Sequence, residues 1–363
     1  MDDLAGSSAV LTIDLSALRA NWRFLADTVA PAECAAVVKA DAYGIGLPPA
    51  IRALAAEGAR TFFVARLEEA IRARETLPDA TIYVLDGLLG DPHLYCRHNL
   101  RPVLGSLPEI ARWAGTNAGV RPPAALHIDT GMNRLGLSAN EIPDAKPLLA
   151  RIELALVLSH FTSSEVDGAP DNLRQVERFR CVLGLAPRAS LANSSGIFLD
   201  GRPVFDMARP GYALYGGNPT PGRANPMLAV VTLEAPIARI REIAAGETVG
   251  YNNAWTARRP SRIATIALGY ADGIPRGAAA TDTKRGPDVA IAGVRCPIAG
   301  RISMDLITID VTDAPASALA PGAPVEILGP TIGIDEFGAH AGTIGYEILT
   351  SLGSRYRRIY KGA

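Results

Sequence analysis

A lysine ends one of the apolar runs of this sequence, Ala-Ala-Val-Val-Lys39. A lysine that emerges from an apolar strand is partly desolvated, which lowers the pKa of its amine and makes it a nucleophile. The alternative is an ordinary lysine whose stem packs on apolar neighbours while its head group reaches water. The next segment, Ala-Asp-Ala-Tyr-Gly-Ile-Gly, is typical of a loop and places Tyr43 close to the lysine.

Seven further apolar runs also end in polar side chains. The terminal residues of the eight runs are Lys39, Arg66, Asp86, Ser106, Asp129, His160, Asn193–Ser194 and Arg209. One such residue would mean little, since loops are polar. A lysine, a histidine and an arginine at one rim would instead indicate a catalytic site, because catalytic groups of closed barrels lie at the carboxyl ends of the strands.

The runs themselves are short and rich in β-branched residues, and segments with helical spacing separate them. They are Ala35–Val38, Thr61–Ala65, Thr81–Leu85, Leu100–Leu104, Ala124–Ile128, Leu154–Ser159, Arg188–Ala192 and Val204–Ala208. The helical segments include Pro48–Gly58, Leu67–Leu77, Leu107–Ala114 and Asn172–Leu185, and Asp14–Val29 predicts a helix before the series. Alternation of strand and helix predicts a parallel sheet, and eight units favour a (β/α)₈ TIM-type barrel over a doubly wound open sheet.

The loops after the seventh and eighth runs have the composition of an anion site. They read Asn193-Ser-Ser-Gly and Arg209-Pro-Gly-Tyr212, with small residues, backbone N–H groups and a possible helix start. Barrels often bind phosphate at these two loops. Together with the lysine of the first strand, they indicate a phosphorylated aldehyde held as a Schiff base.

After about residue 225 the helical segments give way to alternating stretches separated by Gly and Pro. These stretches, namely Met227–Ile243, Arg262–Leu268, Asp288–Ile291 and Leu306–Val311, predict antiparallel strands, and Ile334–Leu352 predicts one late helix. We therefore expect a barrel domain over residues 1–225 and a β-rich domain over residues 226–363.

Composition excludes several classes of function. Lys and Arg number 36 and Asp and Glu 37, with no basic stripe interleaved with aromatic residues, so no nucleic-acid partner is predicted. Met1–Ser8 lacks the pattern of a signal peptide, and no apolar run reaches the roughly 18–20 residues of a membrane span. Four cysteines without a C-x-x-C motif are typical of reduced thiols. We expect a cytoplasmic protein with no membrane partner and no metal.

Ordered motifs along nearly the whole chain resemble those of alanine racemases. They are Ala-Val-Val-Lys39-Ala-Asp-Ala-Tyr43-Gly, Asp129-Thr-Gly-Met-Asn-Arg134-Leu-Gly, His160-Phe, Ala-Asn193-Ser194, Arg209-Pro-Gly, Leu-Tyr215-Gly-Gly, Val-Gly-Tyr251, Gly-Tyr270-Ala-Asp-Gly, Gly-Arg301-Ile-Ser-Met304-Asp305 and Tyr346-Glu. The resemblance implies a (β/α)₈ barrel with a C-terminal β-domain, pyridoxal 5′-phosphate as cofactor, and a head-to-tail homodimer with shared active sites. It also implies an isomerase that interconverts L-alanine and D-alanine, with a role in supplying cell-wall precursors.

The resemblance assigns roles by motif. Lys39 would hold the cofactor and act on the α-proton of the D-isomer, and Tyr251 would act on the opposite face in the partner's site. Cofactor-binding positions are Lys39, Tyr43, Leu85, His160, Asn193, Ser194, Arg209, Gly211, Tyr212 and Tyr346. Positions near the substrate are Arg134, Met304, Asp305 and Tyr270. For His160 a satisfied core histidine, and for Tyr270 a packing role, remain alternatives.

Two of these roles have a simple physical basis. Racemisation needs one base on each face of a planar carbanion, and a strand and a separate domain can supply bases from opposite directions. Arg209 stays protonated, so as a donor to the pyridine nitrogen it would disfavour protonation of the ring and weaken the electron sink. Tyr251 must lose its proton to act as a base, and the ordinary pKa of tyrosine is about 10. Arg209 acting through His160 is a source of positive charge that would lower it.

One position departs from the family pattern. Many members carry a carbamylated lysine two residues before Asp129, which steadies the carboxylate-binding arginine, whereas this chain has His127. We therefore expect no carbamate, and Arg134 to be oriented by a neutral His127, by a bound anion or by water.

Three other functions compete with an alanine racemase. A decarboxylase of the same fold would place an acidic residue on the pyridine nitrogen, where this chain has Arg209. A non-catalytic cofactor-binding protein would be a single barrel without residues 226–363. A broad-specificity racemase would differ in the size of its substrate pocket, and the secreted versions carry a signal peptide.

Overall fold

The computed structural model describes residues 9–362. Met1–Ser8, the segment for which the sequence predicts no signal peptide, and Ala363 lie outside the described residues. The chain divides into two compact units. The barrel unit comprises Leu18–Leu214 and Asn218–Met227, and the β-rich unit comprises residues 9–17, Tyr215–Gly217 and residues 228–362. The predicted boundary between residues 225 and 226 stays a prediction.

Parallel strands form the barrel unit. They are Glu33–Cys34, Ala36–Val37, Thr61–Val64, Thr81–Val84, Arg101–Leu104, Ala124–His127, Leu154–Leu158, Ala189–Ser190 and Met207–Ala208. From Ala36–Val37 to Ala189–Ser190 they pair in sequence order as a seven-stranded sheet. The first barrel strand begins earlier than the predicted run Ala35–Val38 and has two parts, of which the earlier, Glu33–Cys34, pairs with Met207–Ala208.

Backbone hydrogen bonds at the eighth position join the two ends of this sheet. The Arg209 amide donates to the Ala192 carbonyl at 2.9 Å, and the Ala35 amide donates to the Ala208 carbonyl at 3.0 Å. The strands are nearly all buried, as expected for a sheet covered on both faces. The fold class predicted from the sequence, a TIM-type barrel, is confirmed.

Helices follow most of the barrel strands. They are Leu47–Glu57, Leu67–Thr76, Pro92–Arg97, Leu107–Gly115, Ile142–Leu149 and Pro170–Arg180, and the helix Leu15–Val29 precedes the first of these strands. Local sequence explains their ends: Leu47–Glu57 starts with prolines in its first turn and stops at Gly58, whose φ is +129°. After the seventh and eighth strands the chain instead makes short 3₁₀ turns, Ser195–Phe198 and Tyr212–Tyr215.

The eighth predicted strand is shorter than its apolar run. Only Met207–Ala208 of Val204–Ala208 pairs as a parallel strand. Phe205 has a φ of +59°, which breaks the extended conformation, and its bridge to Ser190 is antiparallel.

The β-rich unit contains the strands Val10–Asp14, Val231–Ile243, Thr248–Val249, Trp255–Thr256, Ser261–Ile266, Asp288–Ile291, Val294–Pro297, Ile307–Asp310, Pro324–Leu328 and Arg357–Lys361. The long strand Val231–Ile243 pairs antiparallel with Val10–Asp14, Ser261–Ile266 and Pro324–Leu328. Val10–Asp14 also pairs in parallel with Arg357–Lys361. The sequence did not predict this first strand.

The late helix predicted over Ile334–Leu352 is wrong as one element. The structure has two helices, Ile334–Ala341 and Gly345–Thr350. Gly342, at a φ of +77°, ends the first of them because a left-handed residue cannot continue a right-handed helix. Among the helices of residues 9–362, none combines the length and apolar character that crossing a membrane requires.

Candidate active site

Lys39 lies two residues after the strand Ala36–Val37 and begins a left-handed turn, Lys39–Tyr43. The φ values of Ala40, Asp41, Ala42 and Tyr43 are +53°, +53°, +55° and +52°. For L-residues other than glycine this conformation costs roughly 1–2 kcal/mol each. Four such residues in a row require support from the surrounding structure, so the conformation next to Lys39 is imposed by tertiary contacts.

Asp41 and Glu69 supply that support. The Asp41 carboxylate accepts the Leu47 amide at 3.0 Å, and the Asp41 amide donates to Glu69 Oε1 at 3.3 Å. The other oxygen of Glu69 accepts the amides of Ala65, at 2.9 Å, and Arg66, at 3.2 Å. One carboxylate therefore joins the turn after the first strand to the loop after the second.

Lys39 as a whole residue is exposed to solvent. Its amine nevertheless has many protein atoms around it and is largely desolvated. Burial lowers the pKa of this amine below its ordinary value, and the positive charge of Arg134 lowers it further. Asp86 and Glu69 act in the opposite direction. A lysine with a lowered pKa has a larger fraction of neutral amine, which is the form that acts as nucleophile or base.

The loops after strands seven and eight are joined by Ser194. Its buried hydroxyl oxygen accepts the amides of Gly211, at 3.1 Å, and Ala213, at 3.2 Å. A serine oxygen has two acceptor positions and one proton, so both acceptor positions are used and the proton remains to be donated. Such a donor suits a phosphate oxygen.

Gly211 allows Tyr43 to approach this loop closely. A Cβ added at Gly211 would lie 2.4 Å from the Tyr43 hydroxyl oxygen and 3.3 Å from Val37 Cβ. Tyr43 is buried, and burial raises the pKa of its hydroxyl, so it stays protonated and can donate. Tyr212 of the same loop is also buried.

Asn193 orders the beginning of the seventh loop. Its Oδ1 accepts the Gly196 amide at 2.9 Å and the Ser164 hydroxyl at 3.0 Å. Leu85 ends the third strand, where its amide donates to the Val64 carbonyl at 2.9 Å. These two predicted residues are thus half-buried parts of the rim.

Arg209 is 5% exposed and follows the eighth strand. Its guanidinium donates to the Ser190 hydroxyl at 2.5 Å and to the Ser159 carbonyl at 2.6 Å, and it lies 5.9 Å from the centre of the Phe63 ring. Burial lowers its pKa to about 10, with no carboxylate to oppose the shift in the part of the chain that the structure describes. It therefore remains a cation at neutral pH and places a positive charge inside the barrel.

Two histidines share this electrostatic environment. Burial lowers the pKa of His160 to about 3 and that of His127 to about 4, and the positive charges of Arg209 and Arg134 add to both shifts. Both imidazoles are therefore neutral at pH 7. A neutral His127 is one of the three candidates for orienting Arg134 that the sequence left open, and which of them does so stays a prediction.

Arg134 belongs to a loop that Asp129 organises. One oxygen of Asp129 accepts the amides of Gly131 and Met132, both at 2.9 Å, and the other accepts the Asn133 amide at 3.0 Å. Burial raises the pKa of Asp129, but these backbone donors outweigh it and the net pKa is lowered. Asp129 is thus a structural anion that leaves the exposed side chain of Arg134 at the rim.

The remaining predicted residues lie in the β-rich unit. Tyr251, which is 64% exposed, begins a 3₁₀ turn after Gly250. Tyr270 and Met304 are exposed on loops that backbone hydrogen bonds join, because the Tyr270 amide donates to the Ser303 carbonyl at 3.1 Å. Asp305 forms an ion pair with Arg355 at 2.9 Å.

Tyr346 lies half-buried near the start of the helix Gly345–Thr350. It completes the predicted set within the β-rich unit.

Glu69 is the residue that the sequence analysis missed. The sequence does indicate one of its contacts, since an acidic side chain in the first turn of a helix often accepts hydrogen bonds from the backbone amides just before that helix. That pattern marks a helix start and contains no information about a second loop.

Two family models match this chain. "Alanine racemase, N-terminal domain" matches residues 13–219, and "Alanine racemase, C-terminal domain" matches residues 230–360. The chain belongs to the alanine racemase family. An alanine racemase from Methylobacterium nodulans is 53% identical over 367 residues, with 99% of this chain and 98% of that protein covered.

Solved structures of the family agree in fold. Alanine racemase from Bartonella henselae, solved with covalently bound pyridoxal phosphate, has a TM-score of 0.90 and 40% identity, and covers 97% of this chain and 99% of that chain. Biosynthetic alanine racemase from Pseudomonas aeruginosa has a TM-score of 0.92 and 33% identity, with 98% and 99% covered. The predicted family and the predicted isomerase class are confirmed, and the decarboxylase and the non-catalytic protein are set aside.

Proposed function

We propose that this alanine racemase interconverts L-alanine and D-alanine with two bases, Lys39 of one copy and Tyr251 of a second copy. Lys39 carries the proposal: it follows the carboxyl end of the first barrel strand, and its amine has a pKa lowered by burial and by Arg134. A neutral amine at this position can take the α-proton of the D-isomer from one face of the substrate, and a proton delivered by Tyr251 to the opposite face then gives the L-isomer.

Pyridoxal 5′-phosphate is the predicted cofactor, and family membership confirms it. The barrel residues fit such a group, since the Ser194 hydroxyl has one proton left to donate and Gly211 leaves the loop open beside Tyr43. When bound, the cofactor supplies the electron sink for the carbanion. Ser194, Tyr43, the Gly211 loop and Tyr212 would hold its phosphate, and Lys39 would link to it covalently.

Arg209 would face the ring nitrogen of the cofactor. An arginine with a pKa of about 10 keeps its proton at neutral pH, so it donates a hydrogen bond and does not receive a proton. The resulting sink is weaker than one with a protonated ring nitrogen. A weak sink favours fast return of the proton to the α-carbon, which suits racemisation.

Tyr251 would come from a second copy of the chain. It is 64% exposed, and the same unit also exposes Tyr270, Met304 and Leu306. Exposed apolar side chains concentrated in loops are typical of an interaction surface. A head-to-tail homodimer would cover them and bring Tyr251 to the face of the substrate opposite Lys39. Neutral His160 would connect Arg209 to this tyrosine and favour loss of its proton.

Arg134 would bind the substrate carboxylate, and Met304, Asp305 and Tyr270 are the further positions proposed to lie near the substrate. Arg134 stands on a loop whose backbone is fixed by Asp129, which supports a carboxylate-binding role that does not depend on a carbamylated lysine. We also propose a cytoplasmic location, which the four free cysteines support. There the product D-alanine would supply cell-wall synthesis.

A subunit complementation experiment tests this proposal. Lys39→Ala and Tyr251→Phe should each be nearly inactive, and a refolded equal mixture should regain about a quarter of the wild-type rate, because half of the dimers are mixed and carry one intact site of two. The assay is the loss of the α-proton signal of L-alanine in deuterium oxide with formation of D-alanine. The same assay with larger amino acids separates an alanine-specific enzyme from a broad-specificity racemase.

Tyr251→Phe also tests the division of labour between the two bases. Exchange should slow more for L-alanine than for D-alanine, because the tyrosine serves the L-isomer. Equal losses on both isomers, or no recovery in the mixture, would contradict the shared two-base site.

A further inference from the structure

Glu69 occupies the third position of the helix Leu67–Thr76, and its carboxylate contacts two loops of the rim. Oε2 accepts the amides of Ala65 and Arg66 and so caps its own helix. Oε1 accepts the amide of Asp41, the central residue of the left-handed turn. The same side chain therefore caps its own helix and also binds the turn Lys39–Tyr43, which is distant in sequence.

We propose that Glu69 is a positioning residue for racemisation, which holds the Lys39–Tyr43 turn in the conformation that directs the Lys39 amine into the site. This inference rests on the proposed role of Lys39. Glu69 itself lies in the helix after the second strand and forms these backbone contacts through its side chain, so it acts through the turn and not on the substrate.

The turn needs an anchor of this kind because its own sequence does not favour it. None of the four residues at positive φ is a glycine, although Gly44 and Gly46 follow immediately. Within the turn, the Gly44 amide donates to the Ala40 carbonyl at 2.8 Å and the Gly46 amide to the Asp41 carbonyl at 2.9 Å. These internal bonds close the turn, whereas Glu69 and the ion pair of Arg72 with Asp41 at 3.0 Å tie it to the helix Leu67–Thr76. Of these two contacts, that of Glu69 alone also reaches the amides of the second loop.

The charge of Glu69 has a second effect on Lys39. The charged groups that act on the amine are Arg134, Asp86 and Glu69, and the two carboxylates raise its pKa against burial and Arg134. Removal of the negative charge at position 69 should therefore lower the pKa of Lys39. The hydrogen bond from the Asp41 amide to Glu69 and the negative charge of Glu69 thus affect Lys39 in separate ways, and different variants can distinguish them.

The chain offers a matched control in Glu109. This residue is also the third of its helix, Leu107–Gly115, and it also contacts two loops. Its Oε2 accepts the Gly105 amide at 2.7 Å, and its Oε1 reaches back to the Leu88 amide at 3.2 Å. The geometry repeats that of Glu69 in a part of the rim without Lys39.

The experiment compares Glu69→Gln, Glu69→Asp and Glu109→Gln with the wild-type holoenzyme. A glutamine at position 69 can still cap its helix through its carbonyl oxygen, but its NH₂ group then faces the Asp41 amide, donor against donor. An aspartate keeps the charge but is too short to reach both loops. Circular dichroism and urea unfolding establish that each variant is folded.

Three readouts follow, and only the first two depend on activity. For Glu69→Gln we expect kcat to fall by about tenfold with little change in KM, as loss of one hydrogen bond to a charged group implies. The low-pH limb of the pH–rate profile of Glu69→Gln should move to lower pH, because the pKa of Lys39 falls. Glu69→Asp keeps the negative charge, so it should lower kcat and leave this limb in place. Hydrogen exchange in the peptide covering residues 39–46 should be about tenfold faster in both. Glu109→Gln should change none of these readouts and lower only the urea midpoint.

The outcomes separate this inference from the proposed function. Equal effects of Glu69→Gln and Glu109→Gln on kcat and on exchange of residues 39–46 would overturn the positioning role, because Glu69 would then only cap a helix. An inactive wild-type enzyme would instead refute the proposed function, and the exchange measurement would still report on the turn.

Discussion

Gly211 has no room for a side chain, so Gly211→Ala is expected to disturb the loop against which Tyr43 packs. The added Cβ would lie 2.4 Å from the Tyr43 hydroxyl oxygen and 3.0 Å from Cζ. Ordinary contacts between such atoms are near 3.5 Å, so the tyrosine must retreat by about 1 Å. Because Tyr43 is buried and held at a φ of +52°, it cannot move freely. Overpacking of this kind costs about 1–3 kcal/mol of unfolding free energy.

A double-mutant cycle tests this reasoning. Tyr43→Phe removes the atom of the closest clash, so Gly211→Ala should be less destabilising in the Tyr43→Phe background than in the wild type. The expected coupling is about 1–2 kcal/mol, within the usual range for residues in contact. Urea midpoints of the four proteins measure it. Gly115→Ala is the control, since an added Cβ there meets no heavy atom within 4 Å.

Additive effects of the two substitutions would refute the steric explanation. Retention of full stability by Gly211→Ala alone would do the same, because it would mean that the loop yields without resistance. Loss of stability in Gly115→Ala would show that the measurement reports a general effect of replacing glycine.

Two further predictions concern the phosphate loops and the histidines. Ser194→Ala should weaken pyridoxal 5′-phosphate binding by about tenfold, because the hydroxyl that would donate to the phosphate is lost. The amides of Gly211 and Ala213 also lose their acceptor, so the unfolding free energy should fall by about 1–3 kcal/mol. Titration of the cofactor-free protein measures the binding, and an unchanged Kd would contradict the loop assignment. His160 and His127 have pKa values of about 3 and about 4 in the folded protein, below the unfolded value of about 6.5. The unfolded chain therefore binds more protons in this range, so the unfolding free energy should fall as the pH drops below about 6.5. Proton NMR titration checks this, and a histidine at either position that titrates near pH 6.5 would show the prediction to be wrong.

The barrel could be predicted because its signal is repeated along the chain. The runs Thr61–Ala65 and Thr81–Leu85 predict strands that the structure places at Thr61–Val64 and Thr81–Val84. Each such run is short, buried and bounded by polar residues, and eight repetitions outweigh the ambiguity of any one of them. The polar residue at the end of a run then lies at the rim by geometry alone.

The left-handed turn could not be predicted in the same way. Ala40 and Ala42 have no preference for positive φ and Asp41 has only a modest one, so contacts with other segments explain the turn: the Asp41 amide with Glu69, and the Asp41 carboxylate with the Leu47 amide and with Arg72. Glu69 looks like an ordinary helix-capping residue in the sequence. The strand Val10–Asp14 was missed for a related reason, since its partners, Val231–Ile243 and Arg357–Lys361, come more than 200 residues later.

The turn Lys39–Tyr43 also has a consequence for thermal inactivation of this enzyme. Four residues at positive φ directly follow Lys39, while the barrel strands are nearly all buried. Strained segments relax before well-packed ones do. On heating, the enzyme would therefore lose activity while most of the barrel was still folded. Substitutions that stabilise this turn would slow thermal inactivation more than substitutions that improve packing of the hydrophobic core.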